Sequence, residues 1–119
     1  MFYQMGTVET EFADIIWERE PVLSAELVTA AEEKFGWKKS TTYTVLRRLC
    51  DKGLFINNNG VVSSLISKEE FFSVQSENFV DDTFSGSLPA FIAAFSRRKK
   101  LSSEEIEEIR RMIDNMGEK

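Results

Sequence analysis

Asn57-Asn58-Asn59-Gly60 stands between two short apolar, β-forming runs, Leu54-Phe55-Ile56 and Val61-Val62. Asn-Gly tolerates positive φ at both turn positions, which makes it the strongest short-range signal for a tight β-hairpin. A lone hairpin is marginal in water, so it needs an apolar surface to lie on. The residues before it must supply that surface.

They read as three helices. Thr7 is the expected cap of the first, with Glu9 near the positive end of its dipole. Val8, Phe12, Ile15 and Ile16 recur at helical spacing, and Pro21 biases Glu20 away from helix, so the segment should end near 17–19. Ser24 is the expected cap of a second helix with Leu27, Val28, Ala31 and Phe35 on its apolar stripe, and Gly36 stops it. Trp37 reads as a core plug between helices. Ser40 or Thr41 should cap a third helix running to about Lys52, with Gly53 as its stop. Three helices followed by a hairpin describe a winged helix-turn-helix.

At 100° per residue, Thr42, Val45, Leu46 and Leu49 fall on one face of the third helix. Ser40, Tyr43, Thr44, Arg47 and Asp51 fall on the other, with Thr41 and Arg48 on the flank. The chain carries a net charge of −5, yet bases gather here: Lys34, Lys38, Lys39, Arg47, Arg48 and Lys52. A second cluster is Arg97-Arg98-Lys99-Lys100. A basic face on an acidic body suits a polyanion, and guanidinium and hydroxyl groups suit base edges and phosphates. Each residue also has a structural reading. Tyr43 can pack on a neighbouring helix, Arg48 can pair with an acid of the first or second helix, and Thr41 can serve only as a cap.

Beyond the hairpin the chain reads as all helix. Ser67-x-x-Glu70 and Ser102-x-x-Glu105 are capping boxes, and Ser87 is a cap with Pro89 in the first turn behind it. The first of these helices carries Phe72, Phe79, Val80 and Phe84, and the second Leu88, Phe91, Ile92 and Phe95. The last carries Ile106, Ile109, Met112, Ile113 and Met116 on one side. Six of the ten phenylalanines lie between Phe71 and Phe95. Three short amphipathic helices cannot easily bury that much apolar surface among themselves, so a partner subunit is expected to cover it. The expected division is a winged-helix DNA-binding domain at 1–67 and a helical dimerisation domain at 68–119.

An enzyme is not expected. The chain has no His and one cysteine, Cys50, which excludes an internal disulfide and a Cys-rich metal cage. No phosphate loop or nucleophile elbow is present, and the acidic pairs lie on polar helix faces. No cofactor or metal is expected, nor any membrane insertion, since no apolar run is long enough. The opening "MFYQMGTVETEF" lacks the basic-then-apolar pattern of a signal peptide, so the expected compartment is the cytoplasm.

The segments "IIWERE", "SAELVTAAEEKFGW", "STTYTVLRRLCDKG", "GSLPAFIAAF" and "LSSEEIEEIRRMI" occur in this order. In order and approximate spacing the chain resembles the penicillinase-repressor family of bacterial transcriptional regulators, also called BlaI/MecI/CopY. The resemblance covers nearly the whole length. It implies a dimeric repressor on double-stranded DNA, with a recognition helix at 41–52 and a C-terminal helical dimer interface. Ser40, Thr41, Tyr43, Thr44 and Arg47 match positions facing DNA, and Arg48 matches a position usually held by Arg. A sensor peptidase as partner is a further implication, because penicillin-responsive members are cut at an Asn-Phe bond. The nearest match here is Ala94-Phe95, where the residue before the bond differs. The Cys-x-Cys pairs of copper-responsive members are missing. Two other departures concern DNA: the wing from Gly53 to Ser67 has no Lys or Arg, and Asp51 stands where a base is common. They lend some support to an alternative, a winged-helix module that binds a protein partner and has weak or no specific DNA binding.

Overall fold

A computed structural model describes residues 5–117 of the chain. Residues 1–4, part of the opening stretch read for a leader pattern, lie outside the described residues, as do 118 and 119. The chain divides into two compact units, with the break between Asn78 and Phe79, inside a helix.

The first unit has α1 (Thr7–Arg19), β1 (Val22–Leu23), α2 (Ser24–Phe35), α3 (Lys39–Asp51), β2 (Phe55–Asn58), β3 (Val61–Ser64) and the start of α4 (Lys68–Phe84). The strands form an antiparallel sheet in the order β1-β3-β2, with Val22 opposite Val62 and Asn58 opposite Val61. The hairpin was legible in the sequence; β1, only two residues long, was not.

The helix starts differ from the expected ones for local reasons. Gly6, not Thr7, precedes α1, and the Glu9 carboxylate accepts its N–H at 3.2 Å. Leu23, not Ser24, precedes α2, with its N–H on Glu26. Ser24 is engaged elsewhere: its N–H donates to the Gly60 carbonyl at 2.8 Å and its hydroxyl lies 3.2 Å from that of Tyr43. Lys38 precedes α3: its carbonyl accepts the Thr42 N–H at 3.0 Å, and the Thr42 and Thr44 hydroxyls donate back to the carbonyls of Lys38 and Ser40. Ser40 and Thr41 thus lie in the first helical turn and do not cap it. The later caps are as expected. Ser87 Oγ accepts from Ala90, Ser67 Oγ accepts from Glu70, and Ser102 and Glu105 form a reciprocal pair.

Two turns with positive-φ residues shape the first unit. Gly36 (φ 70°) lets the Trp37 N–H return to the Ala31 carbonyl, which lays Trp37 between Phe12 and Phe35 at centroid distances of 5.4 and 4.7 Å. Asn59 (φ 53°) and Gly60 (φ 88°) make the tight hairpin turn, and the Asn57 side chain accepts the Gly60 N–H. The core holds Phe12, Ile16, Leu27, Leu46, Leu49, Leu54, Phe55, Val62 and Phe71. Phe71, in the first turn of α4, is fully buried, and its neighbour Phe72 is on the surface.

The second unit comprises the end of α4, α5 (Leu88–Arg98) and α6 (Ser103–Gly117). Phe79, Phe84, Phe91 and Phe95 form a ring cluster with centroids 5.6–6.1 Å apart. Among its described residues none is fully buried. This is a set of amphipathic helices with a thin aromatic seam.

Phe55 is 1% exposed and packs on Trp17 at 5.2 Å. Phe55→Ala should lower the unfolding free energy of the first unit by about 3–5 kcal/mol, read from urea unfolding.

Candidate nucleic-acid interface

Thr42, Val45, Leu46 and Leu49 are buried, which fixes the roll of α3 about its axis. Lys38, Lys39, Ser40, Thr41, Thr44, Arg47 and Arg48 are all exposed as a result. Lys38 and Lys39 sit at the N-terminal end, Ser40, Thr44 and Arg47 follow one another along the outward face, and Asp51 closes it. The ends and face of one helix thus bring most of the sequence-identified residues together.

Two of them stand apart. Tyr43 is half-buried, and its hydroxyl meets that of Ser24 at 3.2 Å. It braces α3 against α2, as its structural reading anticipated, and its ring edge stays accessible. Arg48 reaches toward α1, where its Nη1 lies 3.8 Å from Glu9 Oε2. Lys52 shares the same carboxylate at 3.9 Å. Both pairs are long and partly solvated, so each contributes less than about 1 kcal/mol. Their effect is directional: one acid of α1 draws two bases to the flank of α3. Among the described residues no acid lies within ion-pair distance of Arg47, which is exposed.

The wing presents a different chemistry. Val62 points inward, so Val61, Ser63 and Leu65 point outward, with Ile56 opposite Ser63. Leu23, Ile56, Val61 and Leu65 are therefore exposed on an uncharged sheet face. Between this hairpin and α3 runs an open cleft of about 560 Å³, lined by Tyr43, Leu46, Arg47, Cys50, Phe55, Ile56, Asn57 and Leu65. Sequence reasoning placed Tyr43 and Arg47 on this side and missed the cleft. No local pattern marks it: Val61-Val62-Ser63-Ser64-Leu65 does not alternate in polarity, and the cleft exists only once the hairpin lies beside α3.

Cys50 lies in the cleft wall. Burial pushes its thiol above the ordinary value, and the neighbouring charge of Asp51 adds to this. Among the described residues no group of three or more metal-binding side chains converges. No described helix is long and apolar enough to cross a membrane.

The expected interface of the second unit falls on its surface. Phe72, on the portion of α4 in the first unit, is exposed. So are Phe79, Leu88, Ile92, Phe95, Ile106, Met112 and Ile113, while Phe84, Phe91 and Ile109 are partly covered. The Ala94–Phe95 bond lies inside α5, where a peptidase would need the helix to open before it could hold the strand extended.

Three helices, a three-stranded sheet and trailing helices define a winged-helix protein. Residues 5–115 match the penicillinase repressor family, and the chain belongs to that family. The methicillin resistance regulatory protein MecI of Staphylococcus aureus is 26% identical over 117 residues, covering 94% of each chain. The penicillinase repressor of Bacillus licheniformis is 24% identical over 115 residues, covering 93% of this chain and 90% of that one.

The raised thiol of Cys50 holds less thiolate at neutral pH than a free cysteine. Its alkylation by iodoacetamide should be slower than that of a model thiol at pH 7–8 and should climb at higher pH, followed by intact-protein mass.

Proposed function

We propose that this protein is a transcriptional repressor that binds an inverted-repeat operator as a homodimer, with α3 in the major groove. The observation that carries the reading is the outward face of α3: an exposed Arg47, hydroxyls at Ser40, Thr41 and Thr44, and Lys38 and Lys39 at its start. Such a face offers a guanidinium for a guanine edge and cations for flanking phosphates. Tyr43 supplies a ring edge for apolar base contact, and Arg48 and Lys52 add positive potential from the flank. Residues 1–67 would carry DNA binding and 68–119 dimerisation. A cytoplasmic location accords with this role, and a sensor peptidase acting at Ala94–Phe95 is one route to its release.

Dimerisation is supported by the exposed apolar side chains of the second unit. Ile106, Met112 and Ile113 recur along one face of α6, and Leu88, Ile92 and Phe95 along α5. Water contact at that many apolar positions is unfavourable, and a two-fold partner removes it. The same symmetry would set two copies of α3 about one DNA turn, or a multiple of it, apart.

A second reading is favoured by the uncharged outer sheet face, with Leu23, Ile56, Val61 and Leu65 exposed. A module that holds a protein partner there would bind DNA weakly and without sequence preference. Salt dependence separates the two, because each neutralised phosphate releases counterions.

Fluorescence anisotropy on DNA from the protein's own upstream region, against scrambled DNA, tests the repressor reading. Preferential binding that weakens with salt is the expected result; equal, weak binding to both would sink it. Arg47→Ala should cost about 1–3 kcal/mol on the specific site, and Lys39→Ala should lower the salt slope by about one. Ile113→Glu places a charge on the apolar face of α6. It should halve the sedimenting mass while far-ultraviolet circular dichroism stays helical.

A further inference from the structure

The cleft between α3 and the hairpin has an anatomy that DNA contact alone does not require. Leu46 and Phe55 close its base but are almost wholly covered by the core, and Tyr43, Cys50 and Asn57 complete the lining. Leu65 and Ile56 form the apolar wall on the hairpin side. Arg47 is its one cation, and no carboxylate lines it. Among the described residues no acid lies within ion-pair distance of that guanidinium. A volume of about 560 Å³ falls in the range of small-molecule sites, which combine an apolar body with a few orienting polar groups. A guanidinium beside the exposed apolar wall of Ile56 and Leu65 is complementary to a small molecule with an apolar body and a single carboxylate.

We propose that this cleft is an effector site for a small amphipathic monocarboxylate, its anion on Arg47 and its apolar body on Ile56 and Leu65. The regulatory consequence rests on the repressor reading above. An occupied cleft takes Arg47 away from DNA and sets the ligand against the groove-facing side of α3. Ligand and operator would then compete, and the ligand would act as an inducer without proteolysis. A dianion fits less well, since the cleft offers no second cation. A neutral apolar molecule would leave the guanidinium unpartnered.

Cys50 sits in the wall and reports occupancy from inside the full-length protein. The test is its alkylation rate by iodoacetamide, without DNA, at increasing 4-phenylbutyrate or its uncharged amide. The acid should slow alkylation saturably, and do so at about tenfold lower concentration than the amide, the ratio set by one charge-assisted hydrogen bond. Arg47→Gln should erase the difference between acid and amide. Leu65→Asp puts a carboxylate at the rim, at a position already 61% exposed, so folding is preserved and protection by the acid should be lost. Absence of saturable protection by the acid, or equal protection by acid and amide, overturns the inference. So does protection that persists unchanged in both variants. A second arm adds upstream DNA. Displacement of bound DNA by the acid, but not by the amide, supports the inducer role, and co-occupancy by acid and DNA overturns it. Protection in the first arm with no specific DNA binding in the second would retain the cleft and remove the repressor reading instead.

Discussion

The placement of Trp17 is what the first unit depends on. Its ring lies against Phe55 at 5.2 Å and against Phe71 at 5.5 Å, and its indole N–H donates to the Ile66 carbonyl at 3.0 Å. One side chain at the end of α1 thus holds the hairpin's first strand, the chain leaving its second strand, and the first turn of α4. Trp17 is half-buried, and an indole N–H turned into the protein without a partner loses much of what its burial contributes, so the bond to Ile66 fixes the chain path as well as the ring. Glu20, three residues later, accepts from the Ser64 N–H at 2.8 Å and from its hydroxyl. The sheet is therefore clamped to the end of α1 at two levels, and α3 packs into the space that remains.

Much of this was legible in the sequence because period and punctuation agreed. Phe12, Ile15 and Ile16 at helical spacing and Asn59-Gly60 between β-formers leave little choice of local structure. What stayed hidden depended on partners distant in the chain. Ser24 looks like a helix cap, but its N–H belongs to Gly60 and its hydroxyl to Tyr43. Val22-Leu23 is too short to announce a strand until Val62 and Val61 lie beside it. Phe71 and Phe72 are indistinguishable by type, and only the path from Ser67 decides which of them enters the core. The candidate site divides the same way. The outward face of α3 follows from a 100° step, whereas the cleft needs the wing's position, which no local pattern contains.

The charge distribution has a consistent physical sense. The net charge of −5 disfavours loose association with polyanions anywhere on the body. Attraction is concentrated along α3, and Glu9 moderates it by engaging Arg48 and Lys52. The wing adds no charge of either sign. Under the repressor reading proposed above, contact with nucleic acid would be selective by helix chemistry more than by total charge.

The bond from the Ser24 N–H to the Gly60 carbonyl fastens the tip of the wing to the start of α2. A wing tip is ordinarily a free lever that must lose motion when something settles against it. Here the loss has already occurred during folding. Any body that seats between α3 and the hairpin meets a wall whose conformational entropy is spent, so its association carries little ordering penalty on the wing side. The adjustable parts are the long side chains of α3, and fit at this surface is a matter of rotamers.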